Sequence, residues 1–253
     1  MKIIFMGRKQ YAADLLTWTI VQGIEIEAVV TDSHFSNSVT AKKAKELNIP
    51  IISLSQAEKI VQNQSDIDLV VSYLFWKKIK KPLIELPRFG CINFHPAILP
   101  DWRGTAGYNI AILKKLREWG ATAHYVDEHF DTGKIIRVFK FHFDYRNETA
   151  QTLEKKTQEL QMDLYKSVLL DVIDQGILHS TEQKQNDGTY ISRKEMEAMK
   201  LIDPKKDDID LKIRAFWFPP YNGAYLEING EKYTLVNDFI LKQLADKNST
   251  FIL

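Results

Sequence analysis

Cys91-Ile92-Asn93-Phe94-His95-Pro96 is an apolar stretch that ends in polar residues. It predicts a buried β-strand, and Pro96 ends that strand because proline has no N–H to donate to a neighbouring strand. Asn93 and His95 are two residues apart, so their side chains lie on the same side of an extended chain. The stretch therefore predicts an amide and an imidazole side by side at the end of a strand.

Strands and helices alternate ahead of this stretch. Apolar runs predict strands at 3–6, 24–31, 49–54, 67–74 and 91–94, and helical spacing predicts helices at 11–21 and 40–47. Helical crossovers of this length connect parallel strands, so we expect an α/β fold with a doubly wound, mostly parallel sheet. Ligands bind beyond the carboxyl ends of the strands in such sheets, where Asn93 and His95 are expected.

The second half of the chain predicts more strands and a small C-terminal module. The expected elements are a helix at 107–117, strands at 121–126 and 135–143, a helix at 149–174, a helix from Asp207 to Phe216 and a hairpin of 224–228 with 231–236 across Asn229-Gly230. Residues 183–206 are polar and predict a connector. We therefore expect a main domain over 1–182, this connector, and a helix and β-hairpin module over 207–253.

The bulk composition excludes several classes of protein. The chain has 253 residues and a formal net charge of +1, which argues against a nucleic acid or a membrane surface as partner. One cysteine, Cys91, excludes an internal disulfide framework and fits a reducing compartment. No apolar run is long enough to span a membrane. We expect a cytoplasmic protein.

An acidic loop, Phe130-Asp131-Thr132-Gly133, adds a carboxylate to the predicted site. An amine that attacks an acyl carbon needs donors for the developing oxyanion and a base for its proton. Asn93 and His95 can supply the donors, and either His95 or Asp131 can accept the proton. Neither a serine nor a cysteine is placed as a nucleophile, which favours direct acyl transfer. A capping amide, a half-buried histidine and an ordinary Asp-x-Gly turn are the structural alternatives.

Three motifs in this order resemble the 10-formyltetrahydrofolate-dependent formyltransferases. They are Asn93 to Gly104, Trp119 to Asp127, and Asp131 to Ile136. The likeness spans roughly residues 1 to 180. It implies that 10-formyltetrahydrofolate is the co-substrate and that the family's catalytic trio corresponds to Asn93, His95 and Asp131.

The tail from Lys212 to Tyr225 is similar to that of the sugar N-formyltransferases, which act on nucleotide-linked amino sugars for surface polysaccharides such as O-antigen. This likeness implies a dTDP-linked 4-amino-4,6-dideoxy sugar as acceptor, with dTDP-4-amino-4,6-dideoxyglucose as the first expectation. It also implies a homodimer joined through the C-terminal module. A methionyl-tRNA enzyme is disfavoured by the short tail and by the near-zero net charge.

The resemblance also suggests binding residues. Trp76, Lys77, Lys78 and Ile79 are expected to hold the pterin of the folate, largely through backbone groups. The expected sugar-nucleotide contacts are Arg8, Lys9, Lys77, Arg103, Gly104, Trp217 and Tyr221. The cations can pair with a diphosphate and the aromatic rings can stack on a base. Surface charge and ordinary aromatic packing are the alternatives.

Two other interpretations compete with this one. His124, Asp127, His129 and Asp131 could be ligands of a metal ion, but their spacing matches no zinc signature and we expect no metal. A formyl-folate hydrolase, or a module that binds both ligands without catalysis, could use the same scaffold. Three properties of the acceptor stay open: the sugar epimer, the position of the amine and the nucleotide base. A 3-amino sugar and a GDP- or UDP-linked sugar are the alternatives.

Overall fold

A computed structural model describes residues 1–32, 37–105, 107–184 and 188–247. These residues divide into two compact units. The first unit consists of Met1–Arg103, Gly120–Lys140 and Gln158–Thr189, and the second of Gly104–Trp119, Phe141–Thr157 and Tyr190–Leu253. The predicted boundaries at 182 and 206 stay a prediction.

The strands are β1 (Lys2–Gly7), β2 (Glu25–Val30), β3 (Leu69–Tyr73), β4 (Cys91–His95), β5 (Arg103–Gly104), β6 (Glu118–Tyr125), β7 (Ile135–His142), β8 (Tyr190–Ile191), β9 (Tyr225–Ile228) and β10 (Glu231–Thr234). The helices are α1 (Lys9–Val21), α2 (Val39–Glu46), α3 (Leu54–Asn63), α4 (Lys81–Glu85), α5 (Gly107–Leu113), α6 (Ala150–Gln175), α7 (Arg193–Ala198), α8 (Ile209–Phe216) and α9 (Asp238–Lys247). A 3-10 turn covers Tyr145–Asn147.

A six-stranded sheet with the order β2-β1-β3-β4-β6-β7 forms the frame of the site. The first four strands in this order are parallel, and β6 lies antiparallel to β4. Side chains from alternate positions of β1 enter two separate cores, one with α1 and α6 and the other with α3 and α4. Helices therefore cover both faces, and the predicted doubly wound, mostly parallel sheet is confirmed.

The predicted strand at 49–54 is wrong. Only Ile51 pairs with β2, through a single bridge to Val29. The chain then turns into α3, because Ser53 and Gln56 form a reciprocal capping box at its start. The predicted connector 183–206 also contains regular structure, since β8 and α7 lie within it and Ser192 caps α7 in the same way. Helix α9 was not predicted.

The C-terminal elements follow their local sequence signals. Asp208 caps α8, since its side chain accepts a hydrogen bond from the backbone N–H of Leu211. Strands β9 and β10 pair antiparallel. Asn229 and Gly230 between them have φ angles of 54° and 82°, as a two-residue hairpin turn requires. The predicted hairpin is confirmed.

Gly120 in β6 is required by a close approach within the first unit. A Cβ atom at this position would overlap the carbonyl oxygen of Phe139 in the neighbouring strand. We expect Gly120→Ala to lower the free energy of unfolding by about 2–3 kcal/mol, because the two backbones must separate. Chemical denaturation monitored by fluorescence measures this change.

Gly23→Ala is the matched control for this substitution. Gly23 has a φ of 75°, and beyond its two chain neighbours no described residue has an atom within 4 Å of the position that an added methyl group would take, so backbone strain is what opposes alanine there. Its expected cost is about 1 kcal/mol. Equal losses for the two variants would contradict the proposed overlap at Gly120.

Candidate active site

Strand register brings three polar side chains into one row at the carboxyl end of β4. Ser72 of β3 is opposite Asn93 of β4, and Asn93 is opposite His124 of β6. The Ser72 hydroxyl donates to Asn93 Oδ1 at 2.7 Å, and Asn93 Nδ2 lies 3.0 Å from His124 Nε2. Asn93 is thus held on both sides within the sheet.

These partners determine the orientation of the Asn93 amide. His124 Nδ1 lies 2.8 Å from the backbone oxygen of Tyr125, which can only accept, so Nδ1 carries the hydrogen. His124 Nε2 then accepts from Asn93, and the Asn93 oxygen accepts from Ser72. One N–H of the amide is used by His124, and an amide nitrogen has two. The second N–H is the donor that Asn93 can offer to a ligand.

His95 is buried and lies between a carbonyl and a carboxylate. Its Nε2 is 3.0 Å from the backbone oxygen of Trp102, so this nitrogen donates. Its Nδ1 is 3.5 Å from Asp131 Oδ2, and the other oxygen of Asp131 is 3.6 Å from His124 Nε2. The structure therefore brings Asn93, His95 and Asp131 together, with His124 between the amide and the carboxylate.

Thr122, buried on β6, holds the loop that follows β4. Its hydroxyl donates to the backbone oxygen of Ala97 at 2.7 Å and accepts from the backbone N–H of Leu99 at 3.0 Å. The same loop then presents the Trp102 carbonyl to His95. The position of the imidazole thus depends on a strand residue that pairs opposite His95 itself.

The Asp131 loop is held by its own side chains and by a segment that follows α6. Asp127 Oδ1 accepts from the backbone N–H of His129 and from the Thr132 hydroxyl. Gln183 donates to the backbone oxygens of Asp131 and Gly133. Asp127 therefore holds the loop in its conformation. The described residues contain no group of three or more His, Cys, Asp or Glu side chains that could hold a metal ion.

Three of the predicted binding residues form a second cluster beyond β1 and β3. The Arg8 guanidinium lies 4.9 Å from the centre of the Trp76 ring, and Lys77 Nζ lies 5.5 Å from it. Arg8 Nε also donates to the backbone oxygen of Leu74 at 3.0 Å. Residues 74–80 form neither a helix nor a strand. This cluster combines an exposed aromatic ring, two cations and an irregular backbone.

The other predicted binding residues belong to both units. Lys78 is exposed, the Ile79 side chain is buried in the core, and the Lys9 carbonyl accepts from Thr40. Arg103 is buried and donates to Gln183 Oε1 at 2.8 Å. The remaining three lie in the second unit: Gly104, Trp217 and Tyr221. Gly104 has a φ of 83° and packs against β8, and the Tyr221 ring lies 5.6 Å from that of Phe218.

Ser72, Thr122 and Gln183 were missed by sequence reasoning, and His124 was considered only as a metal ligand. Each is an ordinary polar residue in an apolar run or a polar segment. The one available signal was a polar residue at the end of a predicted strand, which applies to Ser72 and His124. Their pairing with Asn93 depends on strand register, which single-sequence patterns do not specify across β3, β4 and β6.

No helix in the described part of the chain combines the length and the apolar character needed to cross a bilayer.

Known proteins resemble this chain in both sequence and fold. The chain is 29% identical to the methionyl-tRNA formyltransferase of Wolbachia sp. subsp. Drosophila simulans (strain wRi), over 94% of this chain and 80% of that protein. The structure of a 4-N formyltransferase from Francisella tularensis superposes with a TM-score of 0.78 at 22% identity, covering 93% of this chain and 96% of that one.

A sugar 3N-formyl transferase, solved in the presence of dTDP and 5-N-formyl-THF, superposes with a TM-score of 0.75 at 26% identity. The superposition covers 92% of this chain and 84% of that one. The relatives thus share formyl transfer and differ in the acceptor. The family model for formyl transferase matches residues 1–169, which include β4 and the Asp131 loop. The chain therefore belongs to the formyl transferase family and is a formyl-transferring enzyme.

Proposed function

We propose that this enzyme transfers a formyl group from 10-formyltetrahydrofolate to the amine of a dTDP-linked 4-amino-4,6-dideoxy sugar, with dTDP-4-amino-4,6-dideoxyglucose as the first candidate. The observation that carries the proposal is the cluster of Asn93, His95 and Asp131 at the carboxyl end of the sheet. It offers donors for an oxyanion and a carboxylate for a proton, the two requirements of an amine attacking an acyl carbon.

The chemical step is a direct transfer. The amine nitrogen attacks the formyl carbon, and the C=O electrons move to the oxygen to form a tetrahedral oxyanion. The second N–H of Asn93 and His95 Nδ1, when it carries a hydrogen, are the donors for this oxyanion. The C=O bond then re-forms, the bond to N10 of the folate breaks, and N10 receives a proton.

The proton lost by the amine goes to Asp131 or to His95. His95 Nδ1 lies 3.5 Å from Asp131 Oδ2. Either group can therefore accept the proton while the other stabilises its protonated form. His95 Nε2 is committed to the Trp102 carbonyl, so Nδ1 is the ring nitrogen that faces the chemistry. The net change is one proton moved from the amine to N10, with no covalent enzyme intermediate.

We assign the folate to the segment with Trp76, Lys77, Lys78 and Ile79. Its irregular backbone supports this assignment, because carbonyl and N–H groups outside helices and strands can bind the polar edge of a pterin. Arg8 is the best candidate for the diphosphate, since the described part of the chain gives it no carboxylate partner. Lys9, Arg103, Gly104, Trp217 and Tyr221 remain proposed contacts of the sugar nucleotide.

A small acceptor is favoured over a tRNA by the distribution of charge. Several lysines are neutralised by carboxylates: Lys81 by Glu128, Lys134 by Glu182, and Lys212 by Asp207. Binding of a nucleic acid backbone needs cations that are available to phosphates, and the formal net charge is only +1. An amino sugar with one diphosphate needs a few positive groups, and Arg8 and Lys77 beside the Trp76 ring supply them.

We further propose a cytoplasmic homodimer that acts in the synthesis of a surface polysaccharide such as O-antigen. The exposed residues of the hairpin support the dimer, because Ile228 and Tyr233 place apolar surface on β9 and β10. Within the described residues, β10 pairs with β9 alone. A second copy is the partner that would cover this edge.

The first test is a turnover assay with 10-formyltetrahydrofolate and a panel of dTDP-, UDP- and GDP-linked 3-amino and 4-amino sugars, with methionyl-tRNA as a further acceptor. We expect a mass gain of one formyl group on a dTDP-4-amino sugar. Formylation of another sugar would correct the acceptor, and formylation of the tRNA would overturn the sugar proposal. Free formate released without any acceptor would indicate the hydrolase.

The second test replaces the proposed catalytic groups. We expect His95→Asn and Asp131→Ala to lower turnover by about three orders of magnitude, because oxyanion stabilisation and proton transfer each contribute about 100-fold or more. Turnover is measured by product mass, and folding by circular dichroism.

His142→Asn is the control, because His142 is exposed on β7 and takes no part in the site. It should retain the activity of the unaltered enzyme. Near-normal turnover of a folded His95→Asn or Asp131→Ala variant would refute the assignment.

A third test concerns the Ser72 hydroxyl. In Ser72→Ala, Asn93 Oδ1 loses the donor that fixes the orientation of its amide. We expect kcat to fall about tenfold, since a misplaced oxyanion donor weakens transition-state stabilisation, while the free energy of unfolding falls by only about 1 kcal/mol. Steady-state kinetics and a denaturant melt measure the two effects.

Ser38→Ala removes a helix cap at α2 and serves as the control. It should lower stability by about 1 kcal/mol and leave kcat unchanged. A Ser72→Ala variant with unchanged kcat would show that the hydroxyl has no role in positioning Asn93.

A further inference from the structure

Residues 181–183, which follow α6 in the first unit, run beside the Asp131 loop. Thr181 and Ile135 exchange two backbone hydrogen bonds of 2.8 Å. One residue further on, Glu182 pairs with Lys134 at 2.8 Å. Gln183 then lies beside the loop itself. Residues 181–183 therefore pair, in order, with the residues that run from the start of β7 back to Asp131.

Every polar atom of the Gln183 amide has a partner. Nε2 donates to the backbone oxygens of Asp131 at 3.1 Å and of Gly133 at 2.7 Å. Oε1 accepts from Arg103 Nη2 at 2.8 Å. Carbonyl oxygens can only accept and a guanidinium can only donate, so the orientation of the amide is determined. One side chain thus binds two loops at once.

Both loops carry a partner of His95. Asp131 lies 3.5 Å from His95 Nδ1, and Trp102, the residue before Arg103, binds His95 Nε2. Arg103 is only 8% exposed, and its Nε has no partner within the described residues. The one side-chain hydrogen bond of this buried guanidinium among those residues is the bond to Gln183. The Gln183 amide therefore links the two groups on either side of the imidazole.

The Asp131 loop needs such support. Asp131 has a φ of 57°, a left-handed conformation that costs a non-glycine residue about 1 kcal/mol. Gly133 is packed so closely that a Cβ atom would overlap the Tyr125 carbonyl. Two hydrogen bonds from one rigid amide favour this conformation over the extended alternatives.

We propose that Gln183 is a positioning residue for formyl transfer, acting through the backbone of the Asp131 loop and through Arg103 to set the distance between Asp131 and His95. The inference rests on the proposed function for its kinetic consequence. Gln183 contacts no reacting atom in this arrangement, so it affects the rate of the chemical step and leaves the binding of the folate largely unchanged.

The test begins with Gln183→Met, which keeps the length of the side chain and removes its hydrogen bonds. We expect kcat to fall about 10- to 100-fold, because displacements near 1 Å at a reacting group cost this much. KM for the folate should stay within about twofold. A merely structural role would lower the melting temperature and leave kcat of the folded enzyme unchanged, which would overturn the proposal.

Gln183→Glu separates positioning from stability. A carboxylate keeps a partner for the buried Arg103 but offers no N–H to the carbonyls of Asp131 and Gly133. We expect a melting temperature close to that of the unaltered enzyme and a loss of kcat at least as large as for Gln183→Met. Glu182→Gln is the matched control, since it alters the same segment and leaves the Gln183 amide in place; its kcat should not change.

Hydrogen–deuterium exchange tests the link without any substrate. In Gln183→Met, peptides that cover 99–105 and 127–135 should both exchange faster, whereas peptides of β1 and β3 should not. Unchanged exchange in both loops would overturn the inference. If no acceptor is formylated by the unaltered enzyme, the proposed function fails, and the exchange measurement still decides whether Gln183 holds the two loops.

Discussion

The register of three strands around β4 is the constraint on which the site depends. Strand β4 lies between a parallel neighbour and an antiparallel one, and the pairing places Ser72, Asn93 and His124 in one row. A shift of one residue in either neighbour would turn Ser72 or His124 to the opposite face. The amide would then lose its donor or its acceptor, and its orientation would no longer be determined.

The apolar cores on the two faces fix this register. Ile92 and Phe94 of β4 enter the core that contains α6, whereas Cys91 enters the core that contains α3 and α4. Slippage would expose these side chains and bury polar ones, at a cost of about 2 kcal/mol for each large apolar residue. Apolar packing in the two cores therefore determines which residues pair opposite Asn93 and His95 in the sheet.

The loops beyond the strands are less regular than the sheet. Leu74, Trp102 and Asp131 all have φ angles between 56° and 59°, and each follows a strand or lies in a loop beside the site. Non-glycine residues in this conformation are disfavoured by about 1 kcal/mol each, and they are frequent at functional sites. Such loops need side chains from elsewhere in the chain to hold them, and Thr122 and Gln183 have that function here.

This difference explains how much the sequence could predict. Local signals were sufficient for the hairpin at Asn229-Gly230, for the strand that carries Asn93 and His95, and for the alternation that implies parallel strands. The strand at 49–54 was predicted wrongly because this segment forms only a single bridge with the edge of β2, between Ile51 and Val29. The Ser53 cap then begins a helix where the strand was expected to continue.

Long-range pairs were not predictable from the sequence. Gln183 lies 52 residues from Asp131 and 80 from Arg103 along the chain, and only the tertiary fold brings them together. The relation of His124 to Asn93 likewise required the pairing of β4 with β6. Patterns along the chain identify which residues can act, whereas packing across the chain decides which residues hold them in place.

Cys91 shows why the chemistry depends on positioning. It shares the strand of Asn93 and His95, but it is fully buried, and burial raises the pKa of its thiol well above the usual range. The thiolate needed for nucleophilic attack is therefore not formed at neutral pH. In the proposed direct transfer, the tetrahedral oxyanion is stabilised by groups already in place. The rate of this proposed transfer then depends on the distances between Asn93, His95 and Asp131, and hence on the uncharged residues that set them.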